Sequence, residues 1–148
     1  MLHDVGKVGV PDQILKKPGK LDDGEYAQMK QHTTSGAALF ADRQSALDEV
    51  SLEIALNHHE KWDGTGYPSG LRGEEIPIFA RIVAVADVFD ALSKRRCYKP
   101  AWTEEQVLEE LKKCSGTHFD PAVVDCFFAC LDEIRAISRQ FPDDESPA

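Results

Sequence analysis

Four of the five histidines and two aspartates stand out by type and place: His3-Asp4 near the start, His32, the adjacent pair His58-His59, and Asp87. A neutral imidazole is the commonest protein metal ligand, and a carboxylate can bridge two cations. A mixed imidazole-carboxylate set suits iron, manganese or zinc better than magnesium or calcium. Such a set can hold two metals about 3.5–4 Å apart, which activate water and steady an in-line phosphoryl displacement. Lys7 follows His3 by four residues and Asp4 by three, on the same face if the segment is helical. A lysine beside two cations is electrostatically wasteful unless an anion sits there too, and a phosphate would satisfy both. Each residue also has an ordinary reading. Lys7 could be a solvated surface lysine, His32 a core or capping residue, and His58-His59 polar residues at a helix exit. The separations are long, so spacing alone does not show that these groups meet.

The elements that must position them come next. Leu47, Val50, Ser51, Ile54 and His58 fall on one helical face, which puts His58 at the C-terminal end of a helix over 45–59 and His59 about 100° round from it. A loop with Gly64, Gly66 and Gly70 follows, carrying Tyr67-Pro68. Asp22 with Glu25 forms a capping box, opening a helix that carries Tyr26, Met29 and Lys30 toward His32. A second short helix is expected over about 34–40. The run from Ile78 to Leu92 is apolar nearly all round, so it should be the central buried helix. Within it Asp87 is flanked by Val85, Ala86, Val88 and Phe89, where an unpaired carboxylate would be costly. Arg81 and Arg95 are its other candidate partners, and Arg81, six residues back, is poorly placed. Thr103 with Gln106 is another capping box. Asp120-Pro121 is a cap with a first-turn proline, starting a last helix with Val124, Phe127, Phe128, Leu131 and Ile134 inside. Cys126 and Cys130, four apart on one face, read as core. No strand pattern competes and no internal repeat is present, so the class is all-α, a bundle of about five to seven helices. Residues 1–138 read as one domain and 139–148 as a disordered tail.

A chain of 148 residues, 42% hydrophobic and 29% charged, fits one globular domain. Its net charge of -9 argues against a broad basic surface for DNA or RNA but leaves room for a small phosphorylated ligand. No apolar run reaches the 18 or so residues of a membrane span, and no signal peptide is visible. The cysteines, Cys97, Cys114, Cys126 and Cys130, include no Cys-x-x-Cys pair. Reduced thiols in a cytoplasmic setting are the simplest account.

The ordered set His3-Asp4-Val5-Gly6-Lys7, His32, His58-His59-Glu60-Lys61-Trp62-Asp63-Gly64-Thr65-Gly66-Tyr67-Pro68 and Asp87 resembles the HD-GYP family of bacterial HD-superfamily phosphodiesterases. Arg96-Cys97-Tyr98-Lys99-Pro100 and Gly116-Thr117-His118-Phe119-Asp120-Pro121 match it as well. The resemblance implies an HD-superfamily helical bundle that hydrolyses cyclic di-GMP to pGpG, and in some members on to GMP, by attack of a metal-bridging hydroxide on phosphorus. It implies His3, Asp4, His32, His58, His59 and Asp87 as metal ligands, with Asp4 bridging. Lys7 would contact the scissile phosphate or help protonate the leaving group. Gly66, Tyr67 and Pro68 would form the substrate-side loop, and Arg96 and Lys99 would hold phosphate oxygens. The cofactor would be two divalent ions, iron or manganese first, with zinc, nickel, cobalt and magnesium as the other candidates. The family normally has one or two helices ahead of the His-Asp pair, so the chain reads as N-terminally truncated. An upstream sensory or receiver domain, or a GGDEF-type partner, would supply regulation. The rival readings are a non-catalytic module that senses cyclic di-GMP or recruits a partner, and an HD hydrolase acting on another nucleotide.

Overall fold

The computed structural model describes residues 2–42, 44–93 and 102–140. A 3-10 segment, Leu2–Gly9, leads into α1 (Asp12–Leu15), α2 (Asp23–Ala38), α3 (Ala46–Asn57), a short 3-10 turn (Gly73–Glu75), α4 (Ile78–Ser93), α5 (Glu104–Lys113), α6 (Pro121–Ala129) and α7 (Leu131–Gln140). Among the described residues there is no strand beyond an isolated bridge, Ser115 with Phe119. The expected all-α class holds.

Local signals set several helix starts. Asp22 and Glu25 close a reciprocal capping box on α2, and Thr103 and Gln106 do so on α5. Ser45 caps α3, and Asp120 caps α6 with Pro121 in its first turn. Each cap satisfies helix N–H groups that would otherwise lack partners. In the first half α2 packs on the N-terminal 3-10 segment and on α3, and α3 packs on α4. Gly6 makes the first of these contacts close. A Cβ there would lie 1.9 Å from the His32 carbonyl oxygen and 2.4 Å from Gly36 N. In the second half Ala84 and Val85 of α4, Leu111 of α5, Phe119, and Val124 of α6 form the buried core, with Val88, Phe89 and Phe127 against it.

Four expectations change. First, α2 does not end near His32 to make way for a second helix. The Thr33 and Thr34 hydroxyls bond back to the Lys30 and Gln31 carbonyls, so they are satisfied inside one continuous helix and cap nothing. Second, the last helix is two. Cys130 leaves helical geometry at φ -101°, ψ 15°, and α7 restarts with Asp132 and Glu133 in its first turn, where acidic groups complement the helix dipole. Third, Cys126 and Cys130 are exposed, because no element among the described residues covers the face they share. Fourth, α4 is not buried all round. Ala80, Ala84 and Val85 are buried, while Ile78, Phe79 and Ile82 are each 45% exposed. An unbroken apolar run carries no periodicity to say which face is covered. Arg139 and Gln140, placed in the tail by sequence, end α7, and residues 141–148 lie outside the described residues.

Candidate metal centre

His3 and Asp4 sit on the N-terminal 3-10 segment, His32 on α2, His58 as the residue that caps α3, His59 just after it, and Asp87 on α4. Packing of these elements brings together groups up to 84 positions apart (His3 to Asp87). Asp4, His32, His58 and His59 each offer a ligand atom, all within 4.8 Å of one another. Asp4 Oδ1 lies 3.6 Å from His32 Nε2 and 3.8 Å from His58 Nε2. Its Oδ2 lies 3.6 Å from His3 Nε2, and His3 Nε2 lies 3.5 Å from Asp87 Oδ1. Asp4 therefore faces His32 and His58 through one oxygen and His3 through the other, with His59 in the first group and Asp87 beside His3.

The hydrogen bonds orient these donors inward. His32 Nδ1 donates to the Met29 carbonyl at 2.7 Å. His58 Nδ1 donates to the Ile54 and Ala55 carbonyls at 3.0 and 3.1 Å. A carbonyl only accepts, so on each ring the proton sits on Nδ1, and in the neutral form Nε2 presents a lone pair. Those two Nε2 atoms face each other at 3.4 Å. Beside them Asp4 Oδ1 is buried with no hydrogen-bond partner. Two lone pairs and a carboxylate oxygen converging on one point repel one another unless a cation lies between them. The donor set therefore fits a divalent metal.

The electrostatics agree. Burial pushes His58 down to about 4, with the neighbouring His3 adding to it. Burial likewise pushes His59 down to about 3, with His58 and His32 adding to it. Both imidazoles stay neutral near pH 7, the form that binds metal. Burial raises the Asp4 carboxyl, but the Lys7 hydrogen bond and charge, with His3, outweigh it and leave the group below its ordinary range. The hydrogen bond to His3 does the same for Asp87.

Lys7 Nζ is 2.5 Å from Asp4 Oδ2, on the oxygen that faces His3. Tyr67 stacks on His59 with ring centroids 4.8 Å apart, which places the Gly66-Tyr67-Pro68 loop directly on the cluster. Gly66 permits this, since a Cβ there would lie 2.3 Å from Lys61 N. The expected phosphate-holding residues Arg96 and Lys99 lie outside the described residues.

Sequence reasoning missed Glu60. It is 2% exposed, and its carboxylate accepts three backbone N–H groups, from Ser69 and Gly70 on Oε1 and from Leu71 on Oε2, at 2.7, 3.1 and 3.0 Å. Glu60, beside His59, thus ties down the far side of the glycine-rich loop at Ser69, Gly70 and Leu71. Its place next to the histidine pair, in a loop rich in glycine, was the available signal. The loop's outer side is held by Trp62 and Asp63 N–H groups on the His118 and Thr117 carbonyls. The Arg81-Asp120 ion pair, at 2.6 Å, sits under the Trp62 ring. Arg81 is thereby committed away from Asp87. His118, outside the candidate set, stacks on Phe119 and belongs to this support.

Residues 1–123 match the protein family described as HD domain. A 3′3′-cGAMP-specific phosphodiesterase of Vibrio cholerae is 51% identical over 96% of this chain and 27% of its own length. A cyclic di-GMP phosphodiesterase of the same organism is 50% identical over 96% of this chain and 30% of its own length. The chain thus spans less than a third of the length of these curated relatives. A crystal structure of a cyclic GMP-AMP-specific phosphodiesterase from V. cholerae superposes with a TM-score of 0.68 at 22% identity, over 97% of this chain and 39% of that one. That likeness shows the helical fold.

Proposed function

The chain belongs to the HD domain family, and on that footing we propose that it is the hydrolytic unit of a metal-dependent phosphodiesterase acting on cyclic di-GMP. The observation that carries the reading is the meeting of His32 Nε2, His58 Nε2 and the unpartnered Asp4 Oδ1 around one point. His32, His58, His59 and Asp4 would hold one divalent ion, and His3, Asp87 and Asp4 a second, with iron or manganese best suited to the mixed nitrogen-oxygen set. When bound, such ions act as Lewis acids that acidify water and neutralise phosphate charge. Asp4 serves both positions because its two oxygens face different donors. Lys7, whose ammonium lies on the Asp4 carboxylate, would contact a phosphate oxygen or protonate the leaving group. Water adds to phosphorus, the bond from phosphorus to a 3′ oxygen breaks, and that oxygen takes a proton, leaving linear pGpG. Tyr67, fixed over His59, lines the substrate side. Regulation through an upstream sensory or receiver segment, or through a GGDEF-type partner, is part of the same proposal.

A second reading, 3′3′-cGAMP as the preferred substrate, is favoured by the name of the 51% identical relative. A substrate panel tests both. The metal-loaded protein is assayed against cyclic di-GMP, 3′3′-cGAMP, cyclic di-AMP and bis(p-nitrophenyl) phosphate. Fastest turnover of cyclic di-GMP supports the first reading and of 3′3′-cGAMP the second. Hydrolysis of none, with metal bound, overturns both in favour of a sensing module.

A further inference from the structure

A cyclic dinucleotide carries two phosphates, and the cluster can engage only one of them for reaction. The other needs a cation, on a chain whose net charge is -9. Lys7, on Asp4, is placed for the reacting phosphate, and Arg96 and Lys99, the other expected phosphate-holding residues, lie outside the described residues. Lys30 lies on α2 two residues before His32, and its ammonium is held 5.0 Å from the Tyr26 ring centroid and 5.7 Å from that of Tyr67. Tyr26 and Tyr67 pack edge to face at 6.3 Å, and Tyr67 stacks on His59. The three rings form a row leading outward from the metal centre, and Lys30 sits over its outer part. Among the described residues no carboxylate bonds to Lys30. Tyr26 is 47% exposed, so the place is open to solvent.

Resting on the phosphodiesterase reading above, we infer that Lys30, cradled by Tyr26 and Tyr67, is a substrate-binding residue that holds the non-reacting phosphate of the cyclic dinucleotide. The chemistry fits the residue. An ammonium is a compact point charge with freely turning donors, well suited to phosphate oxygens. Two aromatic faces restrict its long side chain through cation–π contact, which lowers the entropy lost when it meets the anion. Because Tyr67 also lies on His59, the reacting and non-reacting ends of the substrate would be gauged by one rigid stack.

The test compares wild type with Lys30→Met and Lys30→Arg, each with metal content measured. On cyclic di-GMP, Lys30→Met should raise KM on the order of tenfold with kcat little changed, since a hydrogen bond to a charged group is lost from binding only. On bis(p-nitrophenyl) phosphate, which has a single phosphate, its KM should not move. Affinity for pGpG, read by calorimetry without turnover, should fall by a similar factor. Lys30→Arg should recover most of both losses. An unchanged KM and pGpG affinity in Lys30→Met overturns the assignment. So does an equal loss on the one-phosphate substrate, which would mark a general structural effect. A wild type that neither binds pGpG nor hydrolyses a cyclic dinucleotide overturns the functional reading itself, and this inference with it.

Discussion

Gly6→Ala is a sensitive probe of how the centre is assembled. The added Cβ would lie 1.9 Å from the His32 carbonyl oxygen, 2.4 Å from Gly36 N and 2.8 Å from Gly36 Cα. All three are backbone atoms of α2, so no side chain can swing aside. Ordinary contact begins near 3.4 Å, so the 3-10 segment must retreat from α2 by ~1.5 Å, and overpacking of this kind costs up to about 3 kcal/mol or more. His3 and Asp4 ride on that segment, while His32 and His58 stay behind on α2 and α3. Metal–ligand distances tolerate only about ±0.2 Å, so the shift should cost the metal as well as stability. For a chain of this length it lowers Tm by on the order of 10 °C. Two other glycines calibrate the effect. A Cβ at Gly36 meets Gly6 N at 3.2 Å and Ala55 at 3.5 Å, and one at Gly9 meets nothing within 4 Å. Metal content by mass spectrometry and Tm by circular dichroism should rank the variants Gly9→Ala, then Gly36→Ala, then Gly6→Ala from mildest to most severe. A Gly6→Ala protein with wild-type metal content and Tm would refute the close docking of the 3-10 segment and the geometry built on it.

Three further outcomes are expected. Asp4→Ala should lose both proposed metals and all hydrolysis, because one carboxylate would serve both positions, and retention of full metal and rate would sink the bridging role. Glu60→Gln puts an amide NH2 against backbone N–H donors, so it should cost ~1–3 kcal/mol and raise KM for the dinucleotide while metal content stays near wild type; loss of metal with unaltered KM would contradict its part as loop anchor. In the metal-free protein, His58 and His59 titrate at about 4 and about 3 when folded, against 6.5 ordinarily. The unfolded chain therefore takes up protons first, and stability present above pH 6.5 is lost as pH falls from about 6.5 toward about 3. A Tm of the chelated protein that stays flat or rises over that fall would show that these rings are not buried neutral.

The sequence was most legible where structure is local. Asp22, Thr103 and Asp120 announce helix starts because a cap needs only a few neighbouring residues, and the structure has all three. The site was legible in kind but not in assembly. Nothing in periodicity brings His3 of a 3-10 segment to Asp87 of α4, and only the ordered motif, through its family resemblance, implied that they meet. Where the pattern was uniform, as along Ile78 to Leu92, the exposed face could not be told from the buried one. Cys126 and Cys130 failed for another reason, since a shared helical face does not say whether anything covers it. Glu60 gave only the faint signal of its place beside the histidine pair, because its burial under the loop and its three backbone partners arise only in three dimensions.

The proposed function requires these histidines and aspartates to hold divalent metal for phosphodiester hydrolysis. The most direct test is metal content of anaerobically purified protein by inductively coupled plasma mass spectrometry, with cyclic di-GMP and 3′3′-cGAMP hydrolysis followed on the same sample before and after chelation. Two metals per chain are expected, with turnover that disappears on chelation and returns on adding iron or manganese. A correctly folded protein that retains no metal, or hydrolysis that survives complete chelation, would contradict the proposed function.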